Sequence, residues 1–150
     1  MKDKYMELAI KEAKKAKRSG EVPVGAVIVK DGKVIAKAHN LVEKKHNCLL
    51  HAELIAIRKA SKKLKNWRLL DCTMYVTLEP CKMCKSAISL SRISKVIYSS
   101  DSNNKIEIDN HKYFKHEKYK NITDNIIQSF FKNKRNVSRE TLKKIKDKSS

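Results

Sequence analysis

The sequence predicts an α/β domain of the three-layer α/β/α sandwich type, built around a mixed β-sheet. Segments with helical periodicity alternate along the chain with short β-rich segments, in the order helix, hairpin, helix, strand, helix, strand, helix. The chain has 150 residues, of which 41% are hydrophobic, and this suits one compact core without disulfides. Since no linker and no internal repeat is visible, we expect a single domain over residues 1–150.

The first half of the chain predicts a helix, a hairpin, a loop and a second helix. Apolar residues at three- and four-residue steps indicate the first helix, and Gly20 is a natural C-terminal stop. Asp31-Gly32 between two apolar runs is typical of a hairpin turn. The predicted elements cover, in order, residues 1–19, 22–29, 33–38, 39–50 and 51–64.

The second half predicts alternating strands and helices, followed by a basic helical extension from about residue 123. Met74, Val76 and Leu78 alternate with polar residues, which indicates a strand. Pro80 suits the first turn of the helix that follows. Ser138 is expected to cap a separate last helix. The elements before it cover residues 72–78, 81–91, 95–98 and 123–134, with a short strand around 105–108.

The composition favours an anionic partner. Lys and Arg number 35 against 16 Asp and Glu, for a net charge of +19, and such a field attracts nucleic acid more readily than a membrane surface. The alternative is that most lysines are simply solvated. The chain contains no run of about 18 apolar residues and no apolar region typical of a signal peptide, so we expect a cytoplasmic protein.

Two short clusters predict a metal site. One is His51-Ala52-Glu53, and the other is Pro80-Cys81-Lys82-Met83-Cys84. Together they form the H-x-E and P-C-x-x-C pattern of zinc nucleobase deaminases. Cysteines three residues apart on a helix can reach one ion, and two thiolates with one imidazole suit Zn²⁺. Because three good ligands leave a position for water, we expect one catalytic Zn²⁺ on His51, Cys81 and Cys84.

Glu53 is the predicted catalytic residue. It lies two residues from His51 and therefore off the helical face of that ligand, so it is free for proton transfer. Its expected role is to take a proton from the activated water and deliver it to the base, whose amine leaves as ammonia. Cys72 is expected to be buried apolar filling, and the role of Cys48 stays open. The other histidines have no partner motif.

The cysteine pair alone leaves alternatives open. A lone C-x-x-C could be redox-active or belong to a structural zinc site, and a lone His-Ala-Glu is a weaker signal still. Both clusters in this order, each opening a predicted helix, favour a deaminase. The competing functions are deamination of a free base or nucleotide such as guanine, cytosine or dCMP, and a catalytically inactive RNA-binding subunit. Glu53 argues against the inactive subunit, because a binding module needs no proton shuttle.

Beyond the metal pattern, the chain resembles the bacterial tRNA-specific adenosine deaminases over about its first two thirds. The resemblance implies a cytidine-deaminase-like fold, a homodimer, and conversion of adenosine to inosine at the wobble position of a tRNA anticodon stem-loop. It also implies that Asn40 contacts the substrate, that Val24 lines the base pocket, and that Leu78 and Glu79 lie beside it. The segments that carry it are 21–27, 66–69, 75–81, 83–84 and 91–93.

A shorter similarity to the family's aromatic-basic C-terminal helix occurs at residues 129–135. It implies an RNA-facing helix end, where aromatic rings stack on splayed bases and cations contact phosphates. Adjacent helical residues diverge by about 100°, so one of the two phenylalanines is expected to be buried and the other exposed. The implied RNA-binding residues are Phe130, Phe131, Lys132, Lys134 and Arg135.

Two segments depart from the family pattern. Residues 47–50 read Asn-Cys-Leu-Leu where the family usually has Asp-Pro-Thr-Ala, and residues 99–105 replace a glycine-rich segment. In the second segment, Asp101 is the counterpart expected for the family's substrate-loop aspartate. These departures leave the predicted chemistry in place and bear on which substrate is used.

Overall fold

The structure is a computed structural model that describes residues 3–103 and 108–149. Five strands form one sheet, with helices on both of its faces. The strands are β1 (Gly25–Lys30), β2 (Lys33–His39), β3 (Cys72–Leu78), β4 (Lys95–Ser100) and β5 (Tyr113–Lys115). The helices are α1 (Asp3–Arg18), α2 (Val42–Lys45), α3 (Ala52–Leu64), α4 (Lys82–Leu90) and α5 (Lys120–Ser149). Two single-turn 3₁₀ helices flank β5.

The sheet is mixed, as the sequence predicts. Its strand order is β2-β1-β3-β4-β5; β1 pairs antiparallel with β2 and β3, while β3 with β4 and β4 with β5 are parallel. The parallel β3–β4 pair needs a crossover connection, which α4 provides. The same crossover carries the two predicted cysteine ligands, which lie just beyond the carboxyl end of β3.

The strands send alternate side chains to two cores. On one face, Ile28 and Met74 pack with Ala56 of α3 and Ile88 of α4. On the other face, Val27, Val29 and Tyr75 pack with α1. Since each face of the sheet is covered by helices, the three-layer prediction is confirmed.

Helix α1 lies close to β1 at Gly25. A Cβ atom at this glycine would lie 1.9 Å from the carbonyl oxygen of Ala9 and 2.6 Å from the backbone nitrogen of Ala13. Only glycine allows this approach. The contact places the start of β1, and Val24 just before it, against the substrate cavity described below.

Three features of the structure differ from the sequence prediction. The C-terminal part of the chain is one continuous helix, α5, so the expected cap at Ser138 is wrong; this serine lies inside the helix. The expected loop 39–50 contains the four-residue helix α2. The fifth strand of the sheet, Tyr113–Lys115, was not predicted; the strand that was predicted around 105–108 falls largely on residues 105–107, which lie outside the described residues, so it stays a prediction. In the described ranges, no helix is both long and apolar enough to cross a membrane.

Candidate active site

The three predicted metal ligands lie together where two helices begin. His51 is the N-terminal cap residue of α3, and Cys81 is that of α4. Cys84 lies in the first turn of α4. The Nδ1 atom of His51 is 3.7 Å from the Sγ atom of Cys81 and 3.6 Å from that of Cys84. These atoms lie within 4.8 Å of one another.

The three donor atoms fit a zinc ion. With Zn–S bonds of about 2.3 Å and Zn–N bonds of about 2.0 Å, tetrahedral geometry separates a sulfur from a nitrogen by about 3.6 Å. The two observed separations agree with this value. A set of two cysteine sulfurs and one imidazole also favours Zn²⁺ over harder cations such as Mg²⁺. The residues present therefore suit a zinc ion with one coordination position left for a non-protein ligand.

The pKa values of the two cysteines are shifted in opposite directions. Hydrogen bonds from the Cys84 thiol and from His51 lower the pKa of Cys81 to about 3. The hydrogen bond with Cys81 and burial raise the pKa of Cys84. The hydrogen bond with Cys81 raises the pKa of His51. A preformed thiolate at a helix N-terminus is a ready ligand for a cation.

Glu53 lies beside the ligands without belonging to them. Its side chain lies in the first turn of α3, is 3% exposed, and interacts with the Cys84 thiol. Burial raises the pKa of this carboxyl group, which brings it toward the range where a carboxyl group both accepts and donates protons near neutral pH. A buried carboxyl group next to an open metal site is suited to proton transfer.

A cavity of about 290 Å³ opens beside these groups, which is room for one nucleobase. His51, Glu53 and Cys81 form its inner end. The four residues that the family resemblance assigned to the substrate also line it: Val24, Asn40, Leu78 and Glu79. Asn40 holds the wall in place, because its Oδ1 atom accepts a hydrogen bond from the backbone N–H of Ala52.

Asp101 is not among the residues that line the cavity, whereas Ser102 is. The Asp101 carboxylate accepts a hydrogen bond of 2.7 Å from Nζ of Lys115, at the end of the edge strand β5. Its predicted contact with the substrate stays a prediction.

Sequence reasoning missed several residues of the cavity. Glu21 is fully buried, and its two carboxylate oxygens accept hydrogen bonds from the backbone N–H groups of Glu43 and Lys44 at 2.8 and 2.9 Å. It thereby satisfies the first turn of α2 and fixes the loop that carries Val42 into the cavity wall. In the sequence, Glu21 belongs to the Glu-Val-Pro-Val-Gly segment, and this segment does not indicate which groups its carboxylate binds.

The C-terminal helix contributes Lys134 to the cavity. This lysine, which was predicted to bind RNA, lines the same cavity as His51, Glu53 and Cys81. Phe130 is 6% exposed and Phe131 is 41% exposed, as expected of adjacent helical residues. Phe130 packs inward, with the Lys134 ammonium 4.9 Å from its ring centroid, so its burial leaves Phe131 as the accessible ring. Lys132 and Arg135 are exposed along a shallow groove of the same helix.

The two remaining cysteines lie outside the metal group. Cys72 is fully buried at the start of β3, which agrees with its predicted role in the core, and Cys48 is exposed in the loop after α2. Of the other histidines, His116 is buried and lies 3.1 Å from a carboxylate oxygen of Asp3. Cys48, Cys72 and His116 are not among the residues that line the cavity.

An open three-ligand metal site beside a buried glutamate, on an α/β/α sandwich, is the arrangement typical of a zinc-dependent nucleobase deaminase. Residues 1–100 match the family model described as the cytidine and deoxycytidylate deaminase zinc-binding region. The chain belongs to this family.

Relatives within the family include enzymes that act on RNA and on a free base. The chain is 54% identical over 96 residues to a tRNA-specific adenosine deaminase of Bacillus subtilis, a match that covers 64% of this chain and 60% of that protein. The chain thus spans less than two thirds of that relative's length. A solved structure of a tRNA:A34 deaminase superposes with a TM-score of 0.70 at 35% identity, covering 76% of this chain and 98% of the other.

The guanine deaminase of Bacillus subtilis is also similar. Its structure superposes with a TM-score of 0.64 at 39% identity, and the match covers 67% of this chain and 65% of that chain. The fold is therefore common to relatives whose names give different substrates, so the fold alone does not identify the substrate of this chain.

Proposed function

We propose that this chain is a zinc-dependent hydrolase that converts adenosine to inosine at the wobble position of a tRNA anticodon. The observation that carries the proposal is that Lys134, from the basic helix α5, lines the same cavity as the metal ligands and Glu53. A cation at this place suits a base that is still attached to a phosphodiester chain. The similarity to tRNA-specific adenosine deaminases supports the same substrate.

The chemistry divides between the metal and the chain's own residues. His51, Cys81 and Cys84 would hold one Zn²⁺ per chain, which would supply an activated water by lowering its pKa to about 7. Glu53 takes one proton from the attacking water and delivers it to the ring nitrogen beside the carbon that carries the amine. It then takes the second proton of the added water and transfers it to the departing amine, so adenosine and water become inosine and ammonia. The raised pKa of Glu53 suits both transfers.

The walls of the cavity hold the base for this reaction. Val24 and Leu78 offer apolar contact to the faces of the ring, and Asn40 offers its amide group to the nucleotide. Val24 and Asn40 are buried, so little water enters with the base. Exclusion of water strengthens the interactions among the charged groups that move the proton.

The surface outside the cavity suits a tRNA anticodon stem-loop. The net charge of +19 draws the polyanion, and Phe131 presents an exposed ring for a splayed base. Lys132 and Arg135 lie beside it as phosphate contacts. We further propose that the chain acts as one deaminase domain with a basic C-terminal helix, that it works as a homodimer, and that it meets its substrate in the cytoplasm.

A second candidate function is deamination of a free base or nucleotide. The similarity to guanine deaminase favours it, because that relative shares the fold and matches this chain at 39% identity. The altered segment 47–50 lies directly before His51 in the chain. Lys134 and the +19 charge favour RNA over an uncharged base.

The test is to incubate the zinc-loaded protein with an anticodon stem-loop that carries adenosine at the wobble position, and to measure inosine by sequencing. The matched control is the same hairpin with its adenosine one position away. We expect inosine at the wobble position alone. Absence of inosine from both hairpins, together with ammonia release from guanine, cytosine or dCMP, would replace the proposal with the second candidate.

A further inference from the structure

A buried lysine lies immediately after the last metal ligand. Lys85 follows Cys84 in α4, and its side chain is 3% exposed. Burying an ammonium group is costly unless it is paired and hydrogen-bonded. The mechanism above gives this charge no role, so its partners are informative.

The partner of Lys85 is Glu79. Nζ of Lys85 donates a hydrogen bond of 2.9 Å to Oε2 of Glu79, and the ammonium also lies 5.2 Å from the ring centroid of Tyr113. The other carboxylate oxygen, Oε1, accepts a hydrogen bond of 3.3 Å from the backbone N–H of Ser102 and lies 3.5 Å from its Oγ atom. One carboxylate thus connects α4 with the loop that follows β4.

This connection forms part of the cavity wall. Glu79 and Ser102 both line the cavity, and the backbone N–H of Glu79 donates a hydrogen bond to the carbonyl of Ser100 at 2.8 Å. Glu21, Glu43 and Glu53 also line the cavity, and among the described residues Lys134 is the one lysine in its lining. Without compensation, a further negative charge at Glu79 would repel an anionic substrate.

We infer that Lys85 is a positioning residue for substrate binding: its ion pair with Glu79 fixes the Ser102 side of the cavity and cancels the carboxylate charge there. The inference rests on the proposed function in one respect, namely that the substrate carries phosphate groups. Lys85 itself touches neither the substrate nor the reacting atoms. Its effect passes through Glu79, so it is expected in KM and not in the chemical step.

The first test is Lys85→Met in the zinc-loaded protein, with the anticodon hairpin as substrate. An uncompensated carboxylate beside the phosphates is expected to raise KM about tenfold at low salt, and less at high salt, while kcat changes less than about twofold. Lys82→Met is the matched control, because it removes the same charge from an exposed position in the same helix. A fall in kcat with KM unchanged, or an equal effect of the control, would overturn the inference.

The second test is rescue by neutralising the partner. Adding Glu79→Gln to Lys85→Met removes the stranded charge and keeps an amide oxygen that can accept from Ser102, so KM is expected to return to within about threefold of the wild type. This variant replaces an ion pair by neutral groups, so it is expected to fold even where Lys85→Met does not. A KM that stays raised about tenfold in the double variant would refute the charge-cancelling role.

Failure of the inference and failure of the proposed function give different results. If the wild type forms no inosine in the hairpin, the proposed function fails. The Lys85 comparison is then made with the dissociation constant of the hairpin, measured by fluorescence anisotropy. If the wild type is active and Lys85→Met matches it in both KM and dissociation constant, only the inference fails. Urea unfolding of each zinc-loaded variant confirms that folded protein is being compared.

Discussion

The Oδ1 atom of Asn40 accepts a hydrogen bond of 2.7 Å from the backbone N–H of Ala52. This bond joins the end of β2 to the start of α3, between the predicted ligand His51 and Glu53, the proposed proton carrier. The N–H group belongs to the first turn of a helix, where no carbonyl of the helix itself can accept it. A residue that the family resemblance assigned to the substrate therefore also orients the catalytic helix.

Asn40→Ala removes the acceptor and leaves the buried Ala52 N–H unsatisfied. We expect the free energy of unfolding to fall by about 1–3 kcal/mol and kcat to fall with it. Asn40→Asp keeps an oxygen at the same place, so it should lose less stability than the alanine variant. Urea unfolding of the three proteins checks this, and equal midpoints for wild type and Asn40→Ala would contradict it.

Glu53→Gln removes the proton carrier while leaving all three metal ligands in place. We expect kcat to fall by about 10²–10⁴ with zinc content unchanged, because proton transfer is lost and coordination is not. Glu117→Gln serves as control, since its carboxylate is 71% exposed near β5. Measured together, turnover and bound zinc decide the role: loss of zinc in Glu53→Gln would make Glu53 a ligand.

Cys84→Ser removes a soft ligand from a buried site. We expect zinc affinity to fall by at least about 100-fold and the unfolding midpoint to fall with it, because metal binding is linked to folding. Cys72→Ser is the matched control: it also changes a buried thiol, yet it should keep zinc. Zinc content by atomic absorption distinguishes the two, and a fully loaded Cys84→Ser protein would show that the ligand set is wrong.

A triple variant tests the proposed RNA-facing part of α5. It replaces three basic residues by Gln: Lys132, Lys134 and Arg135. If each contacts one phosphate of a single-stranded loop, the slope of log affinity against log salt should flatten by about 2. Arg58, Lys62 and Lys63 on α3 give a control triple of the same charge, all exposed. Fluorescence anisotropy at several salt concentrations supplies the slopes, and equal slopes in the two triples would remove α5 from the RNA surface.

The chemistry-bearing residues were predictable because they are local in sequence. His51 and Glu53 share one helix start, and Cys81 and Cys84 share another, so the arrangement within each cluster followed from spacing, and the combined H-x-E and P-C-x-x-C pattern joined the two clusters. The strand β3 and the helix α1 were also predictable, because hydrophobic periodicity is a local pattern too. The cap predicted at Ser138 was wrong because a serine within a basic, helix-forming segment does not interrupt it.

Contacts between distant segments could not be read in this way. Lys134 lines the cavity although it lies 50 residues and more from the ligands, and Ser102 lines it while the neighbouring Asp101 pairs with Lys115. Neither pairing has a periodic or local signal. A buried ion pair such as Lys85 with Glu79 is likewise invisible, since a lysine in a sequence this basic reads as a solvated charge.

The sequence by itself predicted the group of His51, Cys81 and Cys84 that the structure brings together, and the alternation of helices and strands. The role of Glu53 as proton carrier is likewise a prediction from the sequence. Only the tertiary structure decided which charges face the cavity, which phenylalanine of α5 is exposed, and how Glu21 and Glu79 are satisfied. The physical reason is that burial and charge pairing depend on how the helices and loops pack around the cavity, and no local sequence pattern encodes that packing.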